Sequence, residues 1–170
     1  MSSSDNSNLY RAIIMDHYQN SRNKGLVEDP RGYMTVRLKN PSCGDDLTVQ
    51  LKVEGAVVKE VHQLGAGCSI CCASASMMAE SLEGQTLEEA LRRIDNFNKM
   101  VQGEAYDEDL VGEAISLEGV SHLPQRVKCA TLAWQASKRG LEKIEDERAR
   151  GLADHEANEG SIEDDVSAED

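Results

Sequence analysis

Aromatic side chains are nearly missing from this 170-residue chain, which has one Phe, one Trp and four Tyr. Its core must therefore be built from aliphatic residues and Met, and the length suffices for one compact domain with such a core. Basic residues are also short, 18 Lys and Arg against 31 Asp and Glu, for a formal charge of −13. That balance repels phosphate backbones, so no nucleic-acid partner is expected. No run approaches the ~20 consecutive apolar residues of a membrane span, and no membrane partner is expected either. The opening MSSSDNSN lacks the basic and apolar regions of a secretory leader. The expected location is the cytoplasm, a reducing setting where five cysteines serve as ligands or reactive thiols rather than as disulfide partners. Paired C-x-x-C motifs at zinc-ribbon spacing are absent. So is the Lys-Ser/Thr that would make Gly65-Ala66-Gly67 part of a phosphate loop.

The negative charge is concentrated at one end. Residues 151–170 hold eight acids and no Lys or Arg, which leaves −5 for residues 1–150. Such a segment, without apolar periodicity, reads as a disordered acidic tail over 149–170, and residues 1–8 read as a flexible polar lead. Between them, 9–148 reads as one α+β domain. Leu9–Gln19 has helical spacing. YMTVRLK (33–39), LTVQLKV (47–53) and AVVKEVHQL (56–64) alternate or run apolar between turn residues. These predict a small antiparallel sheet of about three strands, covered by helices. A helix is predicted over 71–82. A second is predicted behind a capping box, Thr86 with Glu89, and a long last helix is predicted behind Pro124. Residues 104–123 give no clear pattern.

On this layout Cys43 sits in the loop between the first two strands. Cys68 sits where the third strand turns into a helix, and Cys129 in the first turns of the last helix. Element ends are where side chains from distant segments can converge without breaking a ladder. Three thiolates with the Asp45 carboxylate would suit tetrahedral Zn²⁺, and a thiolate set also suits an iron–sulfur cluster. The alternative is that these cysteines are small buried hydrophobes. Arg126, three residues before Cys129, could hold a carboxylate or steady a thiolate, or pair on the surface.

Three separated segments, NPSCGDDLTV (40–49), GAGCSI followed by ASASMM (65–78), and RVKCATLAW (126–134), resemble the SufU-type branch of the NifU/IscU-like iron–sulfur assembly proteins. The resemblance runs from about Leu9 to Glu142. It implies an IscU/NifU-N-like α+β fold with a zinc site made by Cys43, Asp45, Cys68 and Cys129. It also implies a sulfurtransferase that takes persulfide sulfur from a SufS-type cysteine desulfurase onto Cys43, once a desulfurase His has displaced that thiolate from the metal. The sulfur would then pass to the Suf cluster-assembly complex. A scaffold that assembles a [2Fe–2S] cluster on the same residues is the alternative role. Lys128 stands where the scaffold pattern usually has His, and 102–118 looks like the insertion of the SufU branch. Cys71 and Cys72 stand where that branch usually carries other residues. They are read as filling a tight interior, with alternative ligation as the rival.

Overall fold

The computed structural model describes residues 3–166. Its elements run α1 (Ser3–Gln19), β1 (Met34–Asn40), β2 (Asp45–Glu54), β3 (Val57–Ala66), α2 (Ser69–Leu82), α3 (Leu87–Val101), α4 (Glu108–Val111), a run of 3-10 turns (Gly112–His122), α5 (Pro124–Ala149), α6 (Asp154–Ala157) and β4 (Gly160–Asp165). The sheet order is β3-β2-β1-β4.

Alternation decides which face of the sheet is buried. Met34, Val36 and Leu38 of β1 stand opposite Leu51, Val49 and Leu47 of β2, and all six are fully buried. A one-residue slip would turn every one of them outward, so the burial fixes the antiparallel register. The intervening residues make a polar outer face, where Arg37 donates twice to Asp46, at 3.0 and 2.6 Å. That guanidinium holds the Asp46 carboxyl below the usual carboxylate range.

Helices α5 and α2 cover the apolar face. α5 lies on β1 and β2, α2 on β3 and α5, and α1 and α3 pack outside them. Close approach of α5 requires Gly140, because a Cβ there would stand 2.8 Å from Leu51 Cδ1 and 3.1 Å from Val36 Cγ2. The one Phe and the one Trp meet in this layer, Phe97 stacked on Trp134 with ring centroids 4.1 Å apart. The predicted capping box is half made. Thr86 Oγ1 accepts the Glu89 N–H at 3.0 Å, whereas the Glu89 carboxylate pairs with Arg92 and Arg93.

The structure differs from the sequence reading at both ends of the chain and orders the stretch that gave no pattern. The polar lead is helical from Ser3, continuing the helix that the apolar spacing places at Leu9; residues 1 and 2 lie outside the described residues. The patternless stretch 104–123 forms α4 and the 3-10 run, whose Leu117 and Val120 are buried. The acidic segment, expected to be disordered, folds as α6 and β4, while residues 167–170 lie outside the described residues. The fourth strand pairs parallel with β1, from Met34↔Gly160 to Lys39↔Asp165, so the sheet is not purely antiparallel. Counter-charges on the sheet and α5 make this possible. Arg139 reaches Asp164 at 2.8 Å, and Arg37 and Lys39 face Glu163 at 3.7 and 3.8 Å. Ile162 and Val166 add apolar contact with the core, and Asn158 Nδ2 donates to the Val53 carbonyl at 2.7 Å. Replacing Ile162 by Asp is expected to cost about 1–2 kcal/mol in urea unfolding and to open 151–166 to limited proteolysis, with both read on the full chain.

Candidate metal centre

Pro41–Gly44 connects β1 to β2 beyond the closing pair Asn40↔Asp45. The Asn40 carbonyl accepts the N–H groups of Cys43 (3.2 Å) and Gly44 (2.9 Å), and the Ser42 hydroxyl donates to Asn40 Oδ1 at 2.7 Å. Gly44 has φ +79°, a conformation costly for any side-chain-bearing residue. This turn leaves Cys43 exposed at its tip, while Asp45, the first residue of β2, is 2% exposed.

Cys129, in the second turn of α5, comes up from below and is 1% exposed. Its Sγ lies 3.7 Å from Cys43 Sγ, and Cys43 Sγ lies 3.0 Å from Asp45 Oδ2, to which the thiol donates. One donor atom from each of the three side chains falls within 4.8 Å of the other two. Zinc–sulfur bonds of about 2.3 Å in a tetrahedron put two sulfurs about 3.8 Å apart, so the two thiols already stand at that spacing. Two sulfurs and one carboxylate oxygen fit the donor preferences of zinc.

Cys68 borders this group without joining its tight core. It stands at the N-cap position of α2, its N–H donates to Asp45 Oδ1 at 3.1 Å, and its thiol helps to raise the pKa of Cys129. Of the four residues read from the sequence, the structure packs the donor atoms of three together and leaves Cys68 at the rim.

Burial, and then hydrogen bonding to Asp45, pushes the Cys43 thiol above its ordinary pKa. The same two causes push Cys129 further. Without a cation both are therefore neutral thiols near neutral pH. A bound divalent cation reverses that balance and holds them as thiolates.

A cleft of about 490 Å³ opens beside the thiols, bounded by Asn40, Ser42, Cys43, Gln125, Arg126 and Cys129. Arg126 is thus at the site's mouth, on the exposed first turn of α5. Cys71 is fully buried in the core, as expected of a small hydrophobe. Cys72 is partly exposed and faces a different cavity, with Lys24 and Tyr18. His122 is exposed and belongs to none of the candidate donor groups among the described residues. His17, on α1, is fully buried. It bonds Ser76 Oγ at 2.8 Å and Glu113 Oε2 at 2.7 Å. With Glu80 it forms a second group of donor atoms. Both ring nitrogens are engaged there, however, and Arg22 pairs with Glu80 at 3.3 Å, so this group serves as a clasp between α1 and the 3-10 run. Nothing in the spacing of the lone His17 signals that role.

A fold of this kind has known counterparts. The NifU-like N-terminal domain model matches residues 9–150, and the chain belongs to that family. It is 44% identical over 138 residues, 81% of this chain and 92% of the other, to the zinc-dependent sulfurtransferase SufU of Bacillus subtilis (strain 168). It is 37% identical over 153 residues, 89% of this chain and 93% of the other, to the iron–sulfur cluster assembly scaffold protein IscU of Streptococcus pyogenes serotype M1. A crystal structure of a candidate iron–sulfur cluster assembly scaffold protein for the SUF system, from Fervidobacterium islandicum AW-1, superposes with a TM-score of 0.67 at 33% identity. That match covers 76% of this chain and 93% of that one. The matched residues stop before α6 and β4.

In metal-free protein, alkylation of Cys43 is expected to rise with pH through and beyond the ordinary thiol range of about 8.5. Replacing Asp45 by Ala removes a group that raises the Cys43 pKa, so the midpoint should move to lower pH. Rates by mass spectrometry across pH 6–11 would check this; an unmoved midpoint would separate the carboxylate from the thiol.

Proposed function

We propose that this chain is a zinc-dependent sulfur acceptor in iron–sulfur cluster assembly. It would take persulfide sulfur from a SufS-type cysteine desulfurase onto Cys43 and pass it to a Suf assembly complex. The observation that carries the reading is the contrast within the donor group: Cys43 is exposed on the Pro41–Gly44 turn, whereas Asp45 and Cys129 are buried. One donor can move while the others stay.

When bound, zinc supplies the positive charge that keeps the clustered thiols deprotonated at neutral pH. Cys43, Asp45 and Cys129 would hold it, with Cys68 as the fourth donor. The transfer itself belongs to Cys43. Its thiolate attacks the outer sulfur of the donor's persulfide, forming the S–S bond of a Cys43 persulfide and releasing the donor cysteine as a thiolate. No net oxidation occurs, because one S–S bond replaces another. The Pro41–Gly44 turn supplies the mobility, and the 490 Å³ cleft supplies room for an incoming cysteine loop. Arg126 on its wall offers a positive charge to the anionic persulfide. Asp45, held at the start of β2, stays behind with Cys129.

The scaffold reading uses the same donors and is favoured by the names of two of the relatives. Metal and sulfide analysis of protein purified without air separates the two: zinc in a colourless sample, or iron with sulfide and visible absorption. Under the acceptor reading, Cys43→Ala and Asp45→Ala each abolish stimulation of desulfurase turnover, and Cys71→Ser leaves most of it. Wild-type stimulation by the Cys43→Ala protein would remove Cys43 from the reaction.

A further inference from the structure

Asp45 is the one hard donor in a group of thiols, and its two carboxylate oxygens have different surroundings. Oδ2 faces Cys43 Sγ at 3.0 Å, and Oδ1 accepts the Cys68 N–H at 3.1 Å. The side chain lies flat against the backbone of the β3–α2 junction. A Cβ built on Gly67 would stand 2.1 Å from Oδ1, 2.9 Å from Cγ and 3.2 Å from Cα of Asp45. No side-chain adjustment short of expelling the carboxylate clears the first two distances. Gly67 therefore does more than let the chain turn into α2.

From this we infer that Gly67 is a positioning residue. Its bare Cα and the following Cys68 N–H form a cradle that commits Oδ1 to the backbone and leaves Oδ2 as the atom offered to the site. The inference rests on the reading of Asp45 as a metal donor, and it adds a reason for a glycine immediately before Cys68. The carboxylate is fixed by backbone atoms of another segment, so it keeps its place when Cys43 departs on its turn. The cradle also couples two donors. Asp45 and Cys68 share a hydrogen bond, so the end of β3 cannot shift without moving both.

The test is a double-mutant cycle on the full chain, with Zn²⁺ affinity measured by chelator competition. Gly67→Ala is expected to lower affinity about ten- to hundredfold in the wild-type background, the range for groups that orient a ligand. It should have little further effect in Asp45→Ala protein, where no carboxylate remains to displace. Equal losses in both backgrounds would reduce Gly67 to backbone strain and overturn the inference, as would no loss in wild type. Unchanged affinity on Asp45→Ala alone would remove Asp45 from the donor set, overturning this inference and that reading together. If Gly67→Ala protein does not fold, amide exchange at Cys68 in metal-free protein decides. Slow exchange in wild type and fast exchange in Asp45→Ala protein supports the cradle, and equal rates overturn it.

Discussion

The close packing of α5 on the β1–β2 face is the constraint on which the site depends. Cys129 reaches the hairpin turn because the helix backbone lies directly on Val36 and Leu51, and it can do so because residue 140 has no side chain. A bulkier residue there would lift α5 from the sheet, and the 3.7 Å separation of the two sulfurs would be lost at the other end of the helix. The interior is aliphatic and dense, as a chain with one Phe and one Trp requires. Packed in that way it transmits small displacements rather than absorbing them.

The donor group combines two kinds of support. Asp45 and Cys129 are buried, and their positions follow from a strand start and a helix turn. Cys43 is exposed, and its position follows only from a short turn fastened through Asn40. An exposed and a buried donor are thus supplied two residues apart on one hairpin. Burial beside Asp45 disfavours thiolates. A cation is accordingly the natural complement of the group, and the bare cluster is a poor nucleophile near neutral pH.

Much of this was legible in the chain itself. Alternation in 47–53 located β2 and its inward face, and Pro124 marked the start of α5. Cys43, Asp45, Cys68 and Cys129 were legible at element ends; the structure gathers donor atoms of Cys43, Asp45 and Cys129, with the Cys68 N–H on Asp45. The order of the acidic segment was not legible, for a physical reason. A composition argument sums charge within a window, whereas Glu163 and Asp164 find their counter-charges on Arg37, Lys39 and Arg139, remote in sequence. Burial of His17 was equally hidden, because its partners Ser76 and Glu113 lie far along the chain. Gly67 was visible only as part of Gly65-Ala66-Gly67 before Cys68, and its contact with Asp45 is purely three-dimensional.

The parallel pairing of β1 with β4 has a consequence for biosynthesis. During translation β1, β2 and β3 emerge first, and β4 follows only after α2 to α6 have been made. Until β4 emerges, one edge of β1 presents an uncovered row of backbone donors and acceptors, a template for adventitious strand addition. A nascent chain therefore carries its own late-arriving cover. A chain that stopped before β4 would keep Cys43, Asp45 and Cys129 and leave the β1 edge bare.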